Sequence, residues 1–404
     1  MPITKIKMKF STYIYTFILA AAIISISCKK NEKLIVRNIK TLKGILPVMV
    51  PYDNEFETLS EKYIKNKNYQ VECFADLNWS KTPMNGGFLV AKNGQIICEK
   101  YAGFGDMATK TKIDENTSLH IASVSKVITA TAILKLVEAK EIDLDQKLKT
   151  ILPTFPFDSI TIKTLLNHRS GLKNYGYFTN DKKVWDSKII LKNQDVLDLL
   201  AKKTIPLEFP TNSKFSYCNT NYALLALVIE KITGLSYPEA MKKMIFEPLD
   251  MKNTYVFDFE KDCLNATPSY KFNGTKYPMD FLDAIYGDKN VYSTPRDLLK
   301  LDLARRSKYF LNEDLNKQLY AGYSYEHKGT KNYGLGIRMV VWETGEPFYF
   351  HNGWWHGNTS SFISLGKEKV TIIALSNKFS RTTYQVKRVA SIFGDYPFKV
   401  NDSI

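Results

Sequence analysis

The chain has 404 residues, 44% of them hydrophobic, enough for one large domain or two ordinary ones around a real core, which excludes disorder as the default state. Its 56 basic and 41 acidic residues give a formal charge of +15, yet the basic residues are scattered singly, so a solvated surface and not a nucleic-acid interface is expected. Besides Cys28, the cysteines at 73, 98, 218 and 263 match no zinc spacing and are too sparse for a disulfide framework; neither a metal nor a cofactor is expected.

Lys5, Lys7 and Lys9 precede an uncharged apolar run, Phe10 to Ser27, that ends in small residues, the layout of a secretory signal. The run is about long enough to span a membrane, and a transmembrane helix is the alternative. Cys28, between Ser-Ile-Ser and Lys-Lys, favours a bacterial lipoprotein signal over residues 1–27, although Ser25 stands where that pattern usually has Leu. Acyl chains on Cys28 then form the membrane anchor, since two or more chains hold where one does not. The expected location is the bacterial cell envelope, facing the periplasm or the exterior.

Residues 28–55 lack clean periodicity and are expected to be a tether leading into a first helix near Phe56 to Lys65. Phe88 to Lys92 and Gln95 to Tyr101 flank Asn93-Gly94, a strong hairpin signal. From Ser123 to Ala139 apolar residues cover most of a helix surface, which predicts a deeply buried central helix. Helical patterns follow at Thr161 to His168, Asn193 to Lys203, Thr220 to Thr233 (closed by Gly234) and Ser236 to Ile245. Thr294 caps another helix, with Pro295 at its first position and Asp297 placed for a capping box. Beyond Tyr333 the period becomes strand-like, over Gly336 to Glu343, Pro347 to His351, Ser360 to Leu365 and Val370 to Ser376. A last helix is predicted from Tyr384 to Phe393. The fold class expected is α/β (α+β), an antiparallel sheet flanked by helices. It is assembled from 56–160 and 285–404, with 161–284 as an inserted all-helical domain.

Ser-x-x-Lys occurs at Ser27, Ser123, Ser170 and Ser364, but only Ser123-Val-Ser-Lys126 opens a long buried helix. A lysine one turn along the same face can take the serine proton, and the helix start supplies N–H groups for an oxyanion. Taken alone, Ser123 as a helix cap with a solvated Lys126 is the competing view. Tyr217-Cys-Asn219, ahead of the helix that follows, can project a phenol for proton relay and an amide toward Lys126 or substrate. Phe350-His351-Asn352-Gly353-Trp354-Trp355-His356-Gly357 ends a C-terminal strand. There Gly353 permits close approach, a backbone N–H just beyond it can be an oxyanion donor, and His351 can act in acid–base chemistry or bind a carboxylate when protonated. His120, His168 and His327 are assigned structural roles; His356 stays open.

With these three elements in order, the chain resembles the serine β-lactamase-related family of class C β-lactamases, DD-peptidases and family VIII esterases. The resemblance runs from about Gly86 to Ser376, with His168-Arg-Ser-Gly171-Leu172 and Tyr292-Ser-Thr-Pro-Arg-Asp-Leu298 as further matching stretches. It implies an acyl-enzyme on Ser123 with Lys126 as partner, Tyr217 as general base and Asn219 contacting substrate and Lys126. His351, Asn352 and Gly353 take the place of the family's Lys-Thr-Gly motif, which occurs nowhere in this chain. The backbone N–H groups of Ser123 and Trp354 become the oxyanion donors, and Trp354 and Trp355 would narrow the cleft. The implied substrate is a small molecule or a peptidoglycan-derived peptide: a D-amino-acid peptide, a β-lactam or a small ester. The missing lysine weakens the β-lactam option. The competing class is a non-catalytic envelope lipoprotein that uses the fold to bind.

Overall fold

The computed structural model describes residues 44–52, 56–326, 329–343 and 346–399; Cys28, the signal segment and His327 lie outside them. The first helix, α1 (Glu61–Asn78), starts later and runs longer than the periodicity predicts. Ser60 sets the start, because its Oγ accepts from the N–H of Tyr63 and satisfies an orphan donor. Only Val71, Phe74, Ala75 and Asn78 of this polar helix are buried, too narrow a stripe to stand out in sequence.

Strands β1 (Gly86–Lys92) and β2 (Gln95–Ala102) form the expected hairpin. Asn93 and Gly94 have φ of 51° and 72°, the paired left-handed conformation that a two-residue hairpin turn demands. After short strand β3 (Leu119–His120), a 3₁₀ turn at Ala122–Val124 leads into α2 (Ser125–Glu138). Every residue of α2 from Ser125 to Leu136 is buried, as its all-round apolar surface predicts.

The helical middle of the chain contains α3 (Ile162–Leu166), α4 (Tyr175–Phe178), α5 (Asn193–Ala201), α6 (Asn219–Thr233) and α7 (Tyr237–Met241). Gly234 ends α6 in the left-handed conformation, φ 68°, as the sequence suggests. Strands β4 (Tyr255–Val256) and β5 (Val291–Ser293) join β3 in a small sheet. In α8 (Pro295–Arg305) the Thr294 side chain accepts from the N–H of Asp297, as expected of a cap. The capping box does not close. Asp297 instead accepts from the N–H of Asn253 and the hydroxyl of Thr254, so tertiary contacts override the local motif.

Helix α9 (Glu313–Leu319) precedes β6 (Lys331–Tyr333), a strand that sequence periodicity misses, and β7 (Arg338–Val340), shorter than predicted because Gly336 turns the chain at φ 85°. Three long strands follow, β8 (Phe348–Trp355), β9 (Asn358–Leu365) and β10 (Val370–Ser376). Among the described residues the main sheet is antiparallel, in the order β2-β1-β10-β9-β8-β7-β6, so segments distant in sequence meet where β1 pairs with β10. Val71, Phe74, Val90, Ile363, Ile372, Val386 and Val389 form a core between the sheet, α1 and the C-terminal helical turns at Arg381–Val389. Most of the predicted last helix is thus a 3₁₀ coil, with regular α-helix only at Ala390–Phe393.

Candidate active site

The nucleophile candidate lies where three chain-distant segments meet. Ala122, just before Ser123, has φ 47°, a conformation rare for a residue with a Cβ, and its N–H is held by Nδ1 of buried His120 at 3.1 Å. His120 Nε2 faces Asn290 Oδ1 at 2.9 Å, and burial pushes this imidazole down to about 4, so it is a neutral structural group, as expected. Ser360 of β9 donates to the carbonyl of Ile121 at 2.6 Å. Gly353 of β8 presses on the same turn: a Cβ there would stand 2.5 Å from Ile121 O and 2.9 Å from Ser123 N, so no larger residue fits without moving backbone.

Lys126, fully buried, donates from Nζ to Ser123 Oγ at 3.1 Å and to the carbonyl of Asp288 at 2.7 Å. The same ammonium lies 5.1 Å from the Tyr217 ring centroid and 5.7 Å from that of Tyr222. Lys126 therefore touches both Ser123 and the Tyr217 ring, and the Tyr217 hydroxyl is buried without a hydrogen-bond partner. Asn219, the first residue of α6, does not reach Lys126. Its Oδ1 has no partner, and the main-chain contact of Lys126 is the Asp288 carbonyl. Asp288 is fixed in turn by the hydroxyl of Tyr175, donating to its carboxylate at 2.8 Å.

Behind Tyr217 stands His168, at a ring separation of 4.3 Å. Its Nδ1 accepts from the N–H of Cys218 at 3.2 Å, which locks the loop carrying the phenol and gives the histidine the structural task expected of it. Ser170, one of the other Ser-x-x-Lys serines, donates to Asn221 Oδ1, and Ser364 accepts from Arg306; both are occupied by structure.

His351 does reach the site but offers it no charge. It is fully buried, with Nδ1 against the Asn352 carbonyl at 2.9 Å and Nε2 against the Tyr333 hydroxyl at 3.1 Å. A carbonyl only accepts, so Nδ1 carries the hydrogen and Nε2 accepts from the phenol. Burial, Arg338 and Lys126 together push the imidazole well below its ordinary range. The expected carboxylate-binding imidazolium is absent for these reasons. Alternation along β8 sends Asn352 to the opposite face from His351, into a hollow shared with Phe348 and Phe350, and its Oδ1 is buried without a partner. Beyond Phe350 strand β7 no longer pairs with β8, so residues 351–355 have a strand neighbour only in β9.

Trp354 is 63% exposed at the strand end, its indole donating to the carbonyl of His356. Trp355 donates to Asp283 Oδ1 at 2.6 Å, and His356, left open by the sequence, lies 3.0 Å from the same carboxylate. Two contributors escaped the sequence entirely. Asp288 acts through a main-chain carbonyl, which has no residue signature. Arg338 sits with its guanidinium 4.5 Å from the Tyr217 ring centroid only because β7 pairs with β8.

Residues 82–393 match the Beta-lactamase family model. The chain belongs to the β-lactamase family. It is 30% identical over 358 residues to penicillin-binding protein 4* of Bacillus subtilis, covering 83% of this chain and 78% of that protein. It is also 30% identical over 221 residues to the teichoic acid D-alanine hydrolase of Staphylococcus aureus, covering 54% of this chain and 53% of the relative. A penicillin-binding protein from Bacillus halodurans superposes with a TM-score of 0.67 at 25% identity, over 83% of this chain and 99% of the other. FmtA from Staphylococcus aureus gives 0.66 at 23% identity, over 90% and 96%, a likeness of fold. This β-lactamase-family chain is a serine hydrolase, and the expected fold class holds.

Proposed function

We propose that the chain hydrolyses a D-alanyl amide or ester through an acyl-enzyme on Ser123. The observation that carries this reading is the 3.1 Å contact between Ser123 Oγ and buried Lys126 Nζ, at the start of a buried helix and against the ring of Tyr217. Lys126 acts as the partner that takes the serine proton, and the oxygen attacks the substrate carbonyl. The N–H groups of Ser123 and Trp354 receive the oxyanion. Tyr217, whose hydroxyl has no protein partner, relays the proton to the leaving group, after which water attacks the ester and frees Ser123. The substrate class follows the two relatives, one a penicillin-binding protein and the other a D-alanine hydrolase by name. On the same reading 161–284 is an inserted helical domain that delivers Tyr217, and a lipid on Cys28 holds the enzyme on the envelope.

The test is a turnover panel with a D-Ala-D-Ala peptide, a D-alanyl ester, a chromogenic cephalosporin and a neutral nitrophenyl ester, run on wild type and Ser123→Ala. Ser123-dependent release of D-alanine is expected. Turnover of the nitrophenyl ester alone would remove the D-alanyl assignment.

A further inference from the structure

Residues 287–291 run beside the first two turns of α2 and are bonded to it repeatedly. The Gly287 carbonyl accepts from the Thr129 hydroxyl at 2.6 Å, the Asp288 carbonyl accepts from Lys126 at 2.7 Å, and the Val291 N–H donates to Ser125 Oγ at 3.2 Å. The Asp288 carbonyl and Ser123 Oγ hold the same ammonium, so the placement of that carbonyl decides where Lys126 Nζ lies relative to the serine.

The side chain of Asp288 is tied into a set of charges of its own. Tyr175, Asp288 and Lys289 are all buried. Lys289 Nζ donates to the Tyr175 hydroxyl at 2.7 Å, and that hydroxyl donates to Asp288 Oδ2 at 2.8 Å. Asp288 Oδ1 stands 3.8 Å from the same ammonium and has no hydrogen-bond partner. The ammonium also lies 4.6 Å from the ring centroid of Trp355 on β8, the strand that carries Gly353. Tyr175 is fixed in turn by its N–H, which donates to the Thr220 hydroxyl of α6 at 2.7 Å. The residue that holds Lys126 is thus anchored to α4, α6 and β8 together. As a source of stability the set is poor: an ion pair without a direct hydrogen bond is a weak offset for taking both ions out of water, and apolar residues of the same volume pack as well. Its definite effect is geometric, because it fixes one peptide group beside the nucleophile.

We propose that Lys289, Tyr175 and the carboxylate of Asp288 are positioning residues for the acylation step: they fix the Asp288 carbonyl and, through it, the amine that takes the Ser123 proton. The proposal rests on the hydrolase reading above. All three act through the main chain of Asp288, and their removal is felt as a misplaced Lys126.

The test labels the full-length enzyme with an alkyl fluorophosphonate and separates the maximal rate constant of Ser123 modification, kinact, from the half-saturating concentration, KI. Asp288→Asn combined with Lys289→Met removes both charges while keeping the carbonyl and nearly the same volume. This double variant is expected to match or exceed wild type in its urea midpoint. Its kinact should nevertheless fall by about tenfold to a hundredfold, with KI changed by no more than about twofold. Tyr175→Phe, which cuts the link between the two charges, should lower kinact by roughly fivefold or more with the same split. Mass spectrometry counts the modified Ser123, so an unfolded fraction reduces the extent of labelling and leaves the rate constant readable. If kinact of the double variant stays within about threefold of wild type, or falls only together with a weakened KI and a lowered urea midpoint, as general loosening would give, the proposal is overturned. Where the double variant does not fold, Tyr175→Phe decides alone, and kinact within about twofold of wild type overturns the proposal. Absence of Ser123 labelling in wild type is a different result, and sinks the hydrolase reading itself.

Discussion

Substituting Gly353 by Ala tests whether β8 and the nucleophile turn are one rigid unit. The added Cβ would stand 2.5 Å from Ile121 O and 2.9 Å from Ser123 N, and would also overlap Ser360 Oγ. The serine can rotate away; the two backbone atoms cannot. Ordinary contact requires roughly 3.4 Å or more, so the strand and the turn must separate by about 1 Å, and misplacement on that scale costs on the order of 10²-fold in rate. Overpacking adds about 1–3 kcal/mol of destabilisation. The assay is kcat/KM on an activated ester, with thermal unfolding in parallel. Gly366→Ala is the control, since a Cβ there meets nothing within 4 Å. Gly353→Ala retaining activity within threefold of wild type would refute the claim that this contact positions Ser123.

Ser123→Ala should lose at least about 10³-fold in kcat and all covalent labelling by a fluorophosphonate or fluorescent penicillin; a label persisting elsewhere would displace Ser123 as the nucleophile. Tyr333→Phe removes the partner of His351 Nε2 and should cost about 1–3 kcal/mol in urea unfolding; an unchanged unfolding free energy would refute that contact. Acid should destabilise the fold through its buried imidazoles. His120, His168 and His351 are all held below 6.5 by burial, so below that pH the unfolded chain binds more protons than the fold. Their contribution is intact above about 6.5 and drains as pH falls; for His120, with a folded value of about 4, it amounts to about 3 kcal/mol by pH 4. His120→Gln should flatten the decline in unfolding free energy between pH 7 and pH 4.5, and an unchanged slope contradicts the assignment.

What could be read in the sequence was local. Ser123-Val-Ser-Lys126 and Tyr217-Cys-Asn219 announce themselves because each pairs a chemical group with a helix start, and a turn of helix carries Ser123 to Lys126 without outside help. Asn93-Gly94 and the Thr294 cap are legible for the same reason. What stayed hidden depends on register and burial. Arg338 reaches Tyr217 through the pairing of β7 with β8, and Asp288 meets Lys126 through a carbonyl that any residue type could present. His351 was expected to carry a conditional charge; only the three-dimensional surroundings, a phenol on one nitrogen and a carbonyl on the other, make it neutral.

The nucleophile turn is clamped by Ser360, which lies 239 positions after Ile121, and the sheet closes only when β10 docks against β1. Contacts so distant along the chain form slowly, after the intervening loop entropy has been overcome. A polypeptide emerging from a ribosome thus carries its serine and lysine early, yet the contact that clamps their turn waits for the final strands. Competence for acylation is a late event in maturation, and truncation from the C-terminal side removes it altogether.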